Sequence, residues 1–84
     1  MGRTKNEVKT NYQKLFGERL KTVREHYRLR QHEFAEQVDS AQSSIARLES
    51  GERMPEGYII KMIIEKFGCN PLWLVTGEGD PGLE

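Results

Sequence analysis

The stretch QSSIARLESG, residues 42–51, carries one amide, three hydroxyls and one guanidinium where a surface helix ordinarily shows Glu and Lys. With Ile45 and Leu48 turned inward at helical spacing, Gln42, Ser43, Ala46, Arg47 and Ser50 are left on the outer face. A planar Gln amide pairs with adenine N6 and N7, a planar guanidinium pairs with guanine O6 and N7, and a small Ala meets a thymine methyl. No acid precedes Glu49 on this face, so nothing there repels phosphate. The pattern suits the reading of base edges.

Other chemistries find less support. Ser43 and Ser44 sit in no G-x-S-x-G elbow, and nothing places a His and a carboxylate beside them, so catalysis is not expected. His26 and His32 lack Cys or carboxylate partners at ligand spacing, and neither a metal nor another cofactor is expected. Glycines 68, 77, 79 and 82 punctuate helix ends and the tail instead of forming a phosphate loop.

The elements that must position this face come from a short chain. Its 84 residues suffice for one domain that buries about 60% of the surface its unfolded form exposes. The single cysteine, Cys69, excludes an intrachain disulfide and fits a reducing compartment, which points to the cytoplasm. No apolar run has the length of a membrane span or of a signal peptide core. Thirteen Lys and Arg balance thirteen Asp and Glu, but unevenly: residues 1–30 hold nine basic side chains against Glu7, Glu18 and Glu25, a net +6, and the rest therefore sums to −6. Such asymmetry suits either a phosphate-facing surface or a solvated helix face.

Tyr12, Leu15, Phe16, Leu20, Val23 and Tyr27 recur at steps of three and four and predict a first helix over about 12–27. Residues 1–11, with Arg3, Lys5 and Lys9, read as a flexible basic arm. Phe34, Ala35 and Val38 predict a short second helix from near Gln31 to the turn at Asp39-Ser40, and the opening stretch is the third, stopped at Gly51. A fourth, apolar on most sides, runs through Ile59, Ile60, Met62, Ile63, Ile64 and Phe67 to Gly68. Asn70-Pro71 opens a fifth through Leu72, Trp73, Leu74 and Val75, and residues 78–84 read as tail or linker. No period-two alternation appears, so the fold class is all-α with five helices, the domain proper spanning 12–77. Two helices of about two turns joined by a tight turn cannot stand alone. Braced by packing, such a pair is a helix-turn-helix, whose second helix enters the major groove of DNA.

From Leu29 to Pro55, LRQHEFAEQVDSAQSSIARLESGERMP resembles the helix-turn-helix of the Xre-like family of phage repressors, Cro proteins and their bacterial relatives. Gln31, Glu33, Ala35, Val38, Ser44, Ile45, Leu48, Glu49, Gly51 and Pro55 fall on the family pattern, and the likeness extends over about residues 12–79. It implies a lambda-repressor-like domain that binds double-stranded DNA as a transcriptional regulator, expected here to be a repressor acting as a homodimer on an inverted-repeat operator in a bacterial or phage setting. Position by position, it implies base reading by Gln42, Ser43 and Arg47, and backbone contacts by Gln31, Ser44 and Arg53. It further implies a structural ion pair between Arg24 and Glu49.

Departures from the pattern fall outside the base-reading positions. Asp39 stands where the turn commonly has Gly, Arg30 and Ala41 replace the usual N-caps of the second and third helices, with Ser40 a substitute cap for the latter, and Gly57 weakens the start of the fourth. Three bulky neighbours, Leu72, Trp73 and Leu74, cannot all point inward from one short helix: core is the commoner place for such a Trp, yet part of the helix must be exposed or paired, and Leu72, Trp73 and Val75 are the expected dimer interface. The ending NPLWLVTGEG is similar to the exit of certain phage repressor domains, where a linker leads to a C-terminal assembly domain. The competing reading is the antitoxin of a toxin–antitoxin pair, which represses its own operon with the same fold and binds a protein toxin. A module that binds only protein is disfavoured by the outward Gln, Ser and Arg.

Overall fold

The computed structural model describes residues 5–84, with side chains from residue 11 onward. Five helices follow one another: α1 (Lys5–His26), α2 (Gln31–Gln37), α3 (Gln42–Ser50), α4 (Gly57–Phe67) and α5 (Pro71–Thr76). There is no strand among the described residues. Helix α1 begins seven residues before the boundary expected from its apolar stripe. The stripe marks only where the helix meets the core, whereas NEVKTN contains no Gly or Pro to stop the helix extending outward. Of the expected basic arm, Arg3 lies outside the described residues, and Lys5 and Lys9 are in the helix.

Phe16, Leu20 and Val23 from α1 meet Phe34 and Val38 of α2, Ile45 and Leu48 of α3, Ile59 and Ile63 of α4, and Trp73 and Leu74 of α5 in a single core. Leu15, assigned to the inward stripe by its spacing, is instead 44% exposed; it lies one residue off the Phe16–Leu20–Val23 line. Phe67 stacks on Phe34 with centroids 4.8 Å apart, tying α4 to α2, and Tyr27 adds an offset ring at 5.3 Å and a hydroxyl bond to the Phe67 carbonyl at 3.2 Å.

Helix α1 ends where Arg28 adopts φ +57°, an unusual conformation for a residue with a β-carbon. The exit is held by the Leu29 amide donating to the Arg24 carbonyl at 3.1 Å, and by the Arg24 guanidinium donating to the Leu29 carbonyl at 2.9 Å. At the other end of the molecule, α5 is clamped onto α1. Tyr12 donates its hydroxyl to the Val75 carbonyl at 2.8 Å, and Arg19 donates to the Leu74 and Val75 carbonyls at 2.8 and 3.2 Å. These are last-turn carbonyls that have no partner within the helix.

Residues 78–84 are not a free linker. The Asn70 amide donates to the Pro81 carbonyl at 2.8 Å, Asn70 Nδ2 donates to the Asp80 carbonyl at 3.0 Å, and Leu83 packs against the core. Asn70 meanwhile accepts from the Leu72 amide as the N-cap of α5, so one side chain starts a helix and folds the tail back.

Candidate nucleic-acid interface

The turn between α2 and α3 depends on Asp39, which sits at φ +57°, the left-handed geometry that the more usual Gly adopts freely. The turn shape is therefore kept without the Gly. Its amide and that of Ser40 close α2 by donating to the Glu36 and Ala35 carbonyls, and the Tyr58 hydroxyl donates to Asp39 at 3.1 Å from the start of α4. That bond stabilises the neutral phenol and raises the pKa of Tyr58.

The two doubtful helix starts resolve differently. Glu33 reaches back to accept from the Arg30 amide at 2.7 Å, half of a capping box, so α2 is secured from inside. Helix α3 has no side-chain cap at its N-cap residue, Ala41.

Helix α3 presents the expected face. Ile45 and Leu48 are buried, while Gln42, Ser43, Arg47 and Ser50 are exposed and Ala46 is half-buried between them. Its buried side is fixed by an unusually close approach of α1. A β-carbon at Gly17 would lie 2.3 Å from the Leu48 carbonyl oxygen and 2.6 Å from that of Glu49, so only Gly lets the two backbones meet. At the end of α3, Gly51 takes φ +85° with its α-carbon packed beside Lys14.

The expected ion pair is present. Arg24 donates from Nε to Glu49 Oε2 at 2.6 Å and from Nη2 to Oε1 at 3.1 Å, a bidentate contact with side chains only 14% and 6% exposed. The hydrogen bond to Glu49 is the main cause of a raised Arg24 pKa, outweighing burial, which lowers it. Gln31 joins the pair: its Nε2 donates to Glu49 Oε1 at 3.1 Å. Ser44 and Arg53, expected at separate backbone contacts, are brought together, with Arg53 Nη1 donating to Ser44 Oγ at 2.8 Å and Nη2 reaching Glu56 at 3.3 Å.

The α5 surface differs from expectation. Trp73 is only 8% exposed and belongs to the core, because α5 turns it and Leu74 inward together; Leu72 is 53% exposed and Val75 half-buried. An interface on α5 thus has Leu72 and Val75 to work with, and not Trp73.

Two contributors were missed from sequence. Arg19 was counted only among the nine basic side chains of residues 1–30, yet it caps α5. Gly17 had a legible signal, since a glycine inside a helix costs about 1 kcal/mol relative to Ala and calls for a packing reason.

A pair of short helices joined by a left-handed turn, with one helix locked from behind and hydrogen-bonding side chains in front, defines a helix-turn-helix domain. The family model for the helix-turn-helix domain matches residues 17–80, and the chain belongs to that Xre/Cro-like family. No curated protein matches the chain. The family is a DNA-binding one and typically non-enzymatic. No helix among the described residues is long and apolar enough to cross a membrane.

Proposed function

We propose that the protein is a sequence-specific transcriptional regulator, acting as a repressor on an inverted-repeat operator. The observation that carries this reading is the α3 face: Gln42, Ser43 and Arg47 are exposed, no acid stands among them, and the helix behind them is immobilised by Gly17, Ile45 and Leu48. A side chain that discriminates bases needs a rigid platform, because its hydrogen bonds are directional. Gln31, Ser44 and Arg53 serve the phosphates on either side and set the register of the helix in the groove.

Electrostatics narrows the mode of binding. Residues 31–56 contain Glu33, Glu36, Asp39, Glu49, Glu52 and Glu56 against Arg47 and Arg53, six acids and two bases, or −4. Arg24 of residues 1–30 neutralises Glu49 within this count, which leaves −3. Attraction of this segment to DNA as a polyanion is therefore weak, and its affinity has to come from specific contacts. The salt dependence should be shallow, as each phosphate neutralised by a Lys or Arg contributes only about −0.9 to the slope of log K against log salt.

Two copies fit this reading. Leu72, Val75 and the exposed Leu15 give apolar surface for a symmetric contact, which would set two recognition helices about 34 Å apart on half-sites one turn of DNA apart. The test is selection of binders from a random duplex pool, run with the wild type and with Arg47→Ala. A two-fold symmetric motif that loses a G·C preference in the variant is the expected result, with a loss of about 1–3 kcal/mol at that base pair. No enrichment, or the same motif from both proteins, would sink the assignment of this face.

A further inference from the structure

Glu49 lies at the meeting point of three helices, and its two oxygens are not used alike. Oε2 takes only Arg24 Nε at 2.6 Å, whereas Oε1 takes both Arg24 Nη2 and Gln31 Nε2 at 3.1 Å each. The bidentate guanidinium leaves the carboxylate no rotational freedom, and both side chains are largely buried. An ionised carboxylate only accepts, so it must be the nitrogen end of the Gln31 amide that faces it.

We propose that Glu49, itself held by Arg24, is a positioning residue that sets the polarity of the Gln31 amide toward a DNA phosphate. This rests on the reading of Gln31 as a backbone contact. The Gln31 nitrogen carries two protons. One is committed to Glu49, and the other, fixed about 120° away in the amide plane, is presented for a phosphodiester oxygen. A phosphate accepts hydrogen bonds and is repelled by a carbonyl oxygen. An unanchored Gln31 would turn either end of its amide outward, and only one of them binds. The ion pair therefore does more than join α1 to α3: through one shared oxygen it reaches the residue at the start of α2 that meets the backbone.

The test separates this from a purely structural pair. In Arg24→Met/Glu49→Met both charges are removed together, so no lone buried charge remains and the fold is retained; thermal unfolding is recorded alongside. Binding to a mixed-sequence duplex at low salt is then compared for wild type, Gln31→Ala, the double variant and the triple variant. Gln31→Ala should weaken binding about tenfold, the double variant by a smaller factor of at least about twofold, the cost of choosing one of two amide ends, although Gln31 is intact, and the triple variant no further than Gln31→Ala. The salt slope should stay unchanged in all, because Gln31 is neutral. Wild-type affinity in the double variant, or losses that multiply in the triple, would overturn the positioning role while leaving the phosphate role of Gln31 standing. Wild-type affinity in Gln31→Ala would overturn the phosphate role itself. If the double variant fails to fold, the side-chain ¹⁵N relaxation of wild-type Gln31 decides: a rigid amide supports the proposal, and one as mobile as that of exposed Gln42 defeats it.

Discussion

Helices α5 and α3 are both short, yet their ends are treated in opposite ways. Helix α5 has six residues, and its start is capped by Asn70 with Pro71 behind it, while Tyr12 and Arg19 take up carbonyls of its last turn. Helix α3 has nine residues and a start that no side chain caps, and among the described residues Gln42 and Ser43 make no side-chain bonds. Open amides and unpartnered polar side chains lower the stability of a helix, so α3 must be held by something other than its ends. It is held from behind, by the backbone contact at Gly17 and the Arg24–Glu49 pair. Hydrogen-bonding capacity is spent in the helix that serves architecture and kept free in the helix proposed to meet DNA.

The largest test of this contrast is at Gly17. If Gly17 were an ordinary helix position, Gly17→Ala would stabilise the protein by about 1 kcal/mol. With a β-carbon 2.3 Å from the Leu48 carbonyl oxygen, α1 and α3 must instead move apart. The expected net effect is a loss of about 2 kcal/mol, overpacking exceeding the gain in helix propensity. That corresponds to about 10 °C in Tm for a domain of this size. Calorimetry reads the sign directly, and a rise in Tm would show that α3 is not fixed by this contact.

At the other helix the effect is smaller. Asn70→Ala removes the cap of α5 and the Nδ2 bond to the tail together, for a loss of about 1 kcal/mol from the cap. Asn70→Asp separates the two functions: its carboxylate still accepts from the Leu72 amide, but it has no proton to give to the Asp80 carbonyl. Its Tm should fall less than that of Asn70→Ala, while the Gly82 amide, which bonds Asp80 at 2.8 Å, exchanges with solvent faster than in the wild type. Equal protection of Gly82 in the wild type and both variants would mean that the Asn70 side chain does not hold the tail.

The same contrast explains what was legible in the sequence. The five helices were readable because apolar spacing, Gly51, Gly68 and Asn70-Pro71 are local signals, and the outward set Gln42, Ser43 and Arg47 follows from Ile45 and Leu48 by periodicity alone. What was missed joins residues far apart in the chain: Arg19 with Leu74 and Val75, Tyr12 with Val75, Gly17 with Leu48, Gln31 with Glu49. A charged side chain looks the same in sequence whether it faces solvent or caps a distant helix. Trp73 was open between core and interface for a related reason. Three adjacent bulky residues imply that one must face outward, but which one depends on how α5 is rotated, and that rotation is set by Tyr12 and Arg19.

The smallest expected effect concerns the loop that leads into α5. Cys69 is buried immediately before Asn70, and burial pushes its thiol pKa above the ordinary 9.0 because the thiolate would be desolvated. A group whose value is raised on folding contributes stability that is fully present below its unfolded value and is lost as pH rises through the folded one. Stability should therefore fall above pH 9.0, with a thiol share that Cys69→Ala removes. The variant starts lower at neutral pH because a small cavity replaces the sulfur. Its Tm then declines less steeply, and the gap between the two curves narrows as the solution becomes alkaline. Tyr58, whose pKa is also raised, titrates in the alkaline range in both proteins, so the change in the gap isolates the thiol. Parallel curves would mean that the loop opens enough to hydrate the thiolate. The fully bonded account of α5 would then be wrong at its entrance, since Asn70 could not cap the helix from a loop that yields so readily.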